Sequence, residues 1–211
     1  MPEAGRIPEA PLSALKKLRE RRPPEERCEL CALPLQTQHA HLLDPKERRI
    51  LCSCDGCALV FQDGSGRYRR IPRDVYYLAD FHLDELQWEA LSIPINLAFF
   101  FFSSAANRTL AFYPSAGGAT ESLLDLAAWN EIAAAHPRIQ QMQPDVEALL
   151  VNRLVNPPEY YVSPIDRCYE LTGIVRKHWS GFTGGDAVWK AIAEFFTTLR
   201  NEAVKVEPRH A

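Results

Sequence analysis

Five of the chain's six cysteines crowd into one stretch, CELCALPLQTQHAHLLDPKERRILCSCDGC, spanning residues 28–57. Cys28-x-x-Cys31 and Cys54-x-x-Cys57 are two cysteine pairs of identical spacing, and each is followed by Ala-Leu (Ala32-Leu33, Ala58-Leu59). A two-residue gap lets both thiolates of a pair converge on one cation, and two such loops complete a tetrahedron of sulfur. The first choice of ligands is therefore Cys28, Cys31, Cys54 and Cys57. Cys52 lies two residues before Cys54, so on an extended strand both point to the same face. It could replace a paired cysteine or sit beside the site. His39 and His41 likewise share a face if their segment is extended, and imidazole is a ligand in its own right. Seven candidates are thus available where a mononuclear site needs four.

Disulfides are the competing use of clustered cysteines and require an oxidising compartment. The N-terminal MPEAGRIPEAPL has no apolar run behind a basic start, so no secretory signal is expected and a cytoplasmic protein is. In a reducing compartment the cluster points to metal. Zinc is expected for four sulfurs at this spacing, with iron or an iron–sulfur cluster as the alternative.

The elements that must position these residues are a pair of loops and what lies between them. Twenty-two residues separate Cys31 from Cys54, enough for a hairpin with Asp44-Pro45-Lys46-Glu47 at its tip and a strand over Arg49–Cys52. The expected module is a zinc ribbon or rubredoxin-like knuckle pair over residues 24–64. Ahead of it, residues 1–23 should hold a short helix from Ser13 to about Arg22, ended by Pro23-Pro24. After it come a turn at residues 62–66 and Arg67–Arg73, with four arginines around Tyr68. Arginine with aromatic can bind nucleic acid. In a chain of net charge −3, pairing with neighbouring carboxylates is the expected use, and nucleic acid is not an expected partner.

Residues 65–205 are expected to form an α+β (mixed α/β) domain on which the knuckle module packs, with 206–211 as a tail. At 211 residues and 46% hydrophobic content the chain can bury an ordinary globular core. A short helix is expected at 84–91, and further helices at 121–135 (capped by Thr120), 167–178 (capped by Asp166) and 186–202. Ile93–Phe102 and Arg108–Tyr113 form an expected hairpin buried on both faces, because neither run alternates cleanly. Residues 145–154 suit either strand or helix, Tyr160–Val162 a strand, and Cys168 a small buried position. The apolar run Leu91–Phe102 is too short to span a bilayer, so no membrane span is expected.

No Walker loop, dinucleotide glycine fingerprint, zinc-protease helix or nucleophile elbow is present. Four cysteines close a metal site, whereas catalytic zinc keeps a position open. The carboxylates Asp145, Glu147, Asp166 and Glu170 could converge, yet caps and solvated faces account for them equally. No catalytic residue is expected.

In order, the segments ERCELC, HAHL, CSCDGCALVF, RYRRIP, LSIPINLAFFF, AFYPSAGGATESLL, PDVEALLVNRL and SPIDRCYELTGIVRKHWSGFTGGDAVW resemble a bacterial domain family of unknown function. Its members often lie in gene clusters for [NiFe]-hydrogenases. The resemblance covers about residues 24–200 and implies an accessory or maturation role beside a hydrogenase subunit or maturation factor. It carries no catalytic residue with it. The family's Cys, His-x-His and Cys-x-Cys-x-x-Cys elements fall on Cys28, Cys31, His39, His41, Cys52, Cys54 and Cys57. The expectation is a non-enzymatic, metal-binding protein that docks on a partner, with an iron-binding electron carrier as the alternative.

Overall fold

The structure is a computed structural model describing residues 25–61, 66–123, 125–181 and 183–205; the expected N-terminal helix, most of the turn at 62–66 and the tail fall outside these. The described chain is α+β. A seven-stranded sheet is sandwiched between two layers of helix, and a small three-stranded sheet lies among the five clustered cysteines.

The sandwich follows from its strands. Strand β5 (Leu97–Ser103) pairs antiparallel with β6 (Arg108–Ser115) and with β8 (Glu147–Asn152), and β8 pairs with β9 (Glu159–Pro164). β8 settles the ambiguous 145–154 segment as strand. Side chains alternate across a strand, and here both sides are buried. Phe99, Phe101, Leu110, Phe112, Leu150 and Tyr161 pack with α5 (Ile165–His178) and α6 (Gly185–Glu202). Phe100, Ala111, Leu149, Val151 and Tyr160 pack on the opposite face with α2 (Glu85–Ala90), α3 (Leu126–Ala134) and α4 (Pro137–Gln140). An antiparallel strand covered on both sides has no polar face to show, which is why these runs read as continuously apolar. Short strands β4 (Tyr76–Tyr77) and β10 (Val204–Lys205) extend one edge, and β7 (Gly118–Ser122) forms the other.

Two expected helix starts are corrected. Residues 118–122 are strand, so the helix placed at 121–135 begins only at Leu126. Thr120 pairs with Tyr113 in the ladder, and Asp125 is the cap, accepting from the N–H groups of Ala127 and Ala128. The Gly117-Gly118 pair is a hairpin turn, Gly118 taking φ 116°. Glu121, in the β7 strand, pairs with Arg108. Asp166 likewise does not cap: β9 runs on to Pro164, which sits at the N-cap of α5, and Asp166 lies in the first turn with its side chain turned elsewhere.

The smaller sheet has the order β2–β1–β3, from β1 (Ala40–Asp44), β2 (Arg49–Ser53) and β3 (Arg69–Arg70). The β1–β2 hairpin turns where expected, Asp44 accepting from the N–H groups of Lys46 and Glu47. Leu43 reaches from this hairpin into the main core, and Arg69 pairs with buried Asp145. Three of the four arginines pair with carboxylates: Arg67 with Asp44, Arg69 with Asp145 and Arg73 with Asp55. The other carboxylates do not converge either, since Glu147 pairs with Arg138 and Glu170 with Arg167. Among the described residues no helix is long and apolar enough to cross a membrane.

Candidate metal centre

The two cysteine pairs are built differently. The first is a tight turn: the Cys28 N–H donates to Leu33 O and the Ala32 N–H to Cys28 O, with Ala32 at φ 62°. The second is not a matching loop between strands. Cys54 is the N-cap of α1 (Asp55–Val60), and its sulfur accepts from the Cys57 N–H at 3.4 Å. Cys54 and Cys57 therefore occupy the cap and third position of one helical turn, which places both sulfurs at the helix start. Knuckle, hairpin and helix follow in that order, a different finger from the expected ribbon. The first loop is tied to the hairpin by Glu29, whose N–H donates to Cys52 O and whose carboxylate accepts from the Cys52 N–H at 2.9 Å and pairs with Arg49.

These elements bring Cys28, Cys31, Cys54 and Cys57 together, their four sulfurs lying within 4.8 Å of one another. Cys31 and Cys54 are 3.6 Å apart. A tetrahedron with metal–sulfur bonds of about 2.3 Å has edges of about 3.8 Å, so the donor set fits a four-coordinate ion such as zinc or iron. The electrostatics agree. Burial works to raise the Cys28 thiol, but the N–H groups of Cys54, Leu30 and Cys31 that face its sulfur outweigh this and bring it down to about 6. The first thiolate then makes the others costly. Hydrogen bonding to Cys54, then burial and the remaining sulfurs, push Cys57 up to about 12. Cys31 is also raised: the Leu33 backbone works to lower it, but the Cys28 and Cys54 sulfurs prevail. Four sulfurs this close ionise together only around a positive charge.

The other three candidates lie together but apart from this set. One ligand atom each of His39, His41 and Cys52 falls within 4.8 Å of the others. His41 and Cys52 face each other directly across β1 and β2, so their side chains leave the sheet on the same side. The His39 ring stands edge-on to His41, 4.9 Å between centroids. Burial first, then the charges of Glu26 and Glu29, raise the Cys52 thiol. Cys168 is fully buried in the main core, as its size predicts, where burial holds its thiol protonated.

Two residues take part here in roles that the sequence reading did not give them, Asp166 having been expected as a helix cap or one of four carboxylates. Asp166 accepts from His41 Nδ1 at 2.6 Å, and Glu29 holds the backbone at Cys52. Glu29 could have been suspected from its place inside the Cys28–Cys31 loop. Nothing local marks Asp166, which is 125 residues from His41.

No curated protein and no solved structure matches the chain. A family model does, over residues 27–203, from just before the first cysteine to the end of the last long helix. By that match the chain belongs to DUF5947, a family of unknown function.

Proposed function

We propose that the protein is a non-enzymatic accessory protein of the cytoplasm in which one zinc ion, held by Cys28, Cys31, Cys54 and Cys57, braces a surface finger for docking on a partner protein. The observation that carries the reading is the convergence of four sulfurs from a tight turn and a helix start that a hairpin separates in sequence. Ligation supplies the cross-link that so small a module lacks, because its own core is little more than Ala40, Leu42 and Ala58 with Phe61 and Tyr68. Four sulfurs leave no open position, which favours bracing over catalysis.

The docking part rests on what surrounds the site. Leu33 and Leu59, the leucines of the repeated Ala-Leu, are more than half exposed, as is Val60 beside them, and Leu30 is exposed between Cys28 and Cys31. Apolar side chains held outward on metal-bound loops suit a protein partner. The resemblance noted above makes that partner a [NiFe]-hydrogenase subunit or maturation factor.

The test is capture of purified hydrogenase subunits from the source organism by wild-type protein and by a Leu33→Asp/Leu59→Asp variant. Capture by wild type, lost in a variant that still folds and keeps its zinc, supports docking through the finger. Equal capture by both, or none by wild type, overturns it.

A second reading has one observation in its favour. Cys31 is exposed, so an iron ion in the same site would have a solvent-facing sulfur through which to exchange electrons. A colourless protein whose metal is zinc removes this reading.

A further inference from the structure

The His39, His41 and Cys52 cluster is not used by the four-sulfur site, and the structure shows two imidazoles already prepared for something. His39 Nδ1 lies 2.9 Å from the Gln36 carbonyl. A carbonyl only accepts, so Nδ1 carries the proton and Nε2 is left with a bare lone pair. That Nε2 is buried and has no hydrogen-bond partner among the described residues, and the His39 side chain is only 9% exposed. A buried nitrogen lone pair with nothing to accept is costly. His41 is held in the same manner: its Nδ1 is 2.6 Å from the Asp166 carboxylate, which also only accepts, so its Nε2 carries the free lone pair too. An imidazole whose far nitrogen is pinned by a carbonyl or carboxylate is the arrangement that orients a metal ligand and raises its basicity. The third donor, Cys52, stands across the ladder from His41. Glu26, 3.7 Å from His39, and Glu29 on the Cys52 backbone lend negative charge around the cluster.

We propose that His39 Nε2, His41 Nε2 and Cys52 Sγ form a second metal site that takes a borderline divalent transition ion, zinc in the first instance. Two nitrogens and one sulfur are the donor set such ions favour. Three protein ligands leave the fourth position open to water or to a group from another molecule, unlike the closed four-sulfur site. The second ion is therefore the exchangeable one. Asp166 is a positioning residue, and because it belongs to α5 it ties this site to the main body and not only to the finger.

The test uses the full chain, stripped with a chelator under anaerobic conditions and titrated with Zn2+ and, separately, Co2+. Wild type is expected to bind two equivalents, the second released to a competing chelator far sooner than the first. His39→Ala and Cys52→Ala should each bind one. A single equivalent in wild type, or two in the His39→Ala/Cys52→Ala double variant, overturns the proposal. A folding artefact in the variants is bypassed with wild type carrying zinc in the first site and cobalt in the second, read by X-ray absorption. A shell containing nitrogen supports the assignment, and an all-sulfur shell overturns it. In Asp166→Asn the second equivalent should still bind, weakened about tenfold to a hundredfold; unchanged affinity removes Asp166 from the site. Loss of the four-sulfur site in Cys31→Ser with the second equivalent retained separates this inference from the zinc-bracing reading.

Discussion

His41 Nδ1 lies 2.6 Å from Asp166 Oδ2 across 125 residues of sequence, joining the cysteine finger to the first turn of α5. It is a charge-assisted contact on partly buried groups, and it reaches from the smaller sheet to a helix of the main sandwich. Leu43 in the main core and the Arg69–Asp145 pair make the same crossing.

Asp166→Ala should loosen the finger more than the body. A hydrogen bond to a charged group contributes about 1.5–3 kcal/mol, and the partial exposure of both partners reduces this to about 1 kcal/mol. Hydrogen exchange is the measurement: faster exchange across 40–53 with α6 unchanged is expected, and uniform acceleration would contradict it.

Cys54→Ala should cost the chain both metal binding at the four sulfurs and the α1 cap, because Cys54 is at once a candidate ligand and the acceptor for the Cys57 N–H. Limited proteolysis should then cut within 25–61 while helical circular dichroism from α5 and α6 persists. A variant that still binds metal there and resists cleavage would show that the other three sulfurs suffice without the cap.

Acid should release the hairpin tip through Asp44. The Arg67 guanidinium beside it holds the Asp44 carboxyl below its ordinary value of 3.8. A carboxyl lowered on folding contributes stability above its unfolded value and loses it as pH falls through the folded one. Stability from this pair should be level above about pH 5 and decline below pH 4, more steeply in wild type than in Asp44→Asn. Parallel acid unfolding curves for the two proteins would argue against it.

Phe100→Ala tests the second core layer. Phe100 is fully buried and stacks on Trp129 at 4.9 Å between centroids, so its loss should cost about 3–5 kcal/mol. A fall in the urea midpoint with an unchanged slope is expected; a loss below about 1 kcal/mol would mean that the site collapses around the gap.

Gly184→Ala should also destabilise, by about 1–3 kcal/mol. Its φ is 87°, and an added Cβ would lie 2.8 Å from Val188 Cγ1 and 3.3 Å from the Trp179 ring. Thermal unfolding checks this, and an unchanged midpoint would show that the turn yields.

What was legible in the amino-acid order was local. Repeated Cys-x-x-Cys spacing named the four residues that converge, Asp44-Pro45 named the hairpin tip, and unbroken apolar runs named strands covered on both faces. Each is decided by neighbours within a turn or a strand, where residue type and spacing suffice. The tertiary structure alone decided that Thr120 joins a ladder instead of capping a helix, since strand pairing with β6 outweighs a local cap preference. It also split the seven candidate ligands into two sets: spacing puts Cys52 beside Cys54, but Cys54 turns into the first turn of α1 while Cys52 stays in the ladder opposite His41. The partner of that histidine comes from a helix far along the chain, and only the packing of finger against body could supply it.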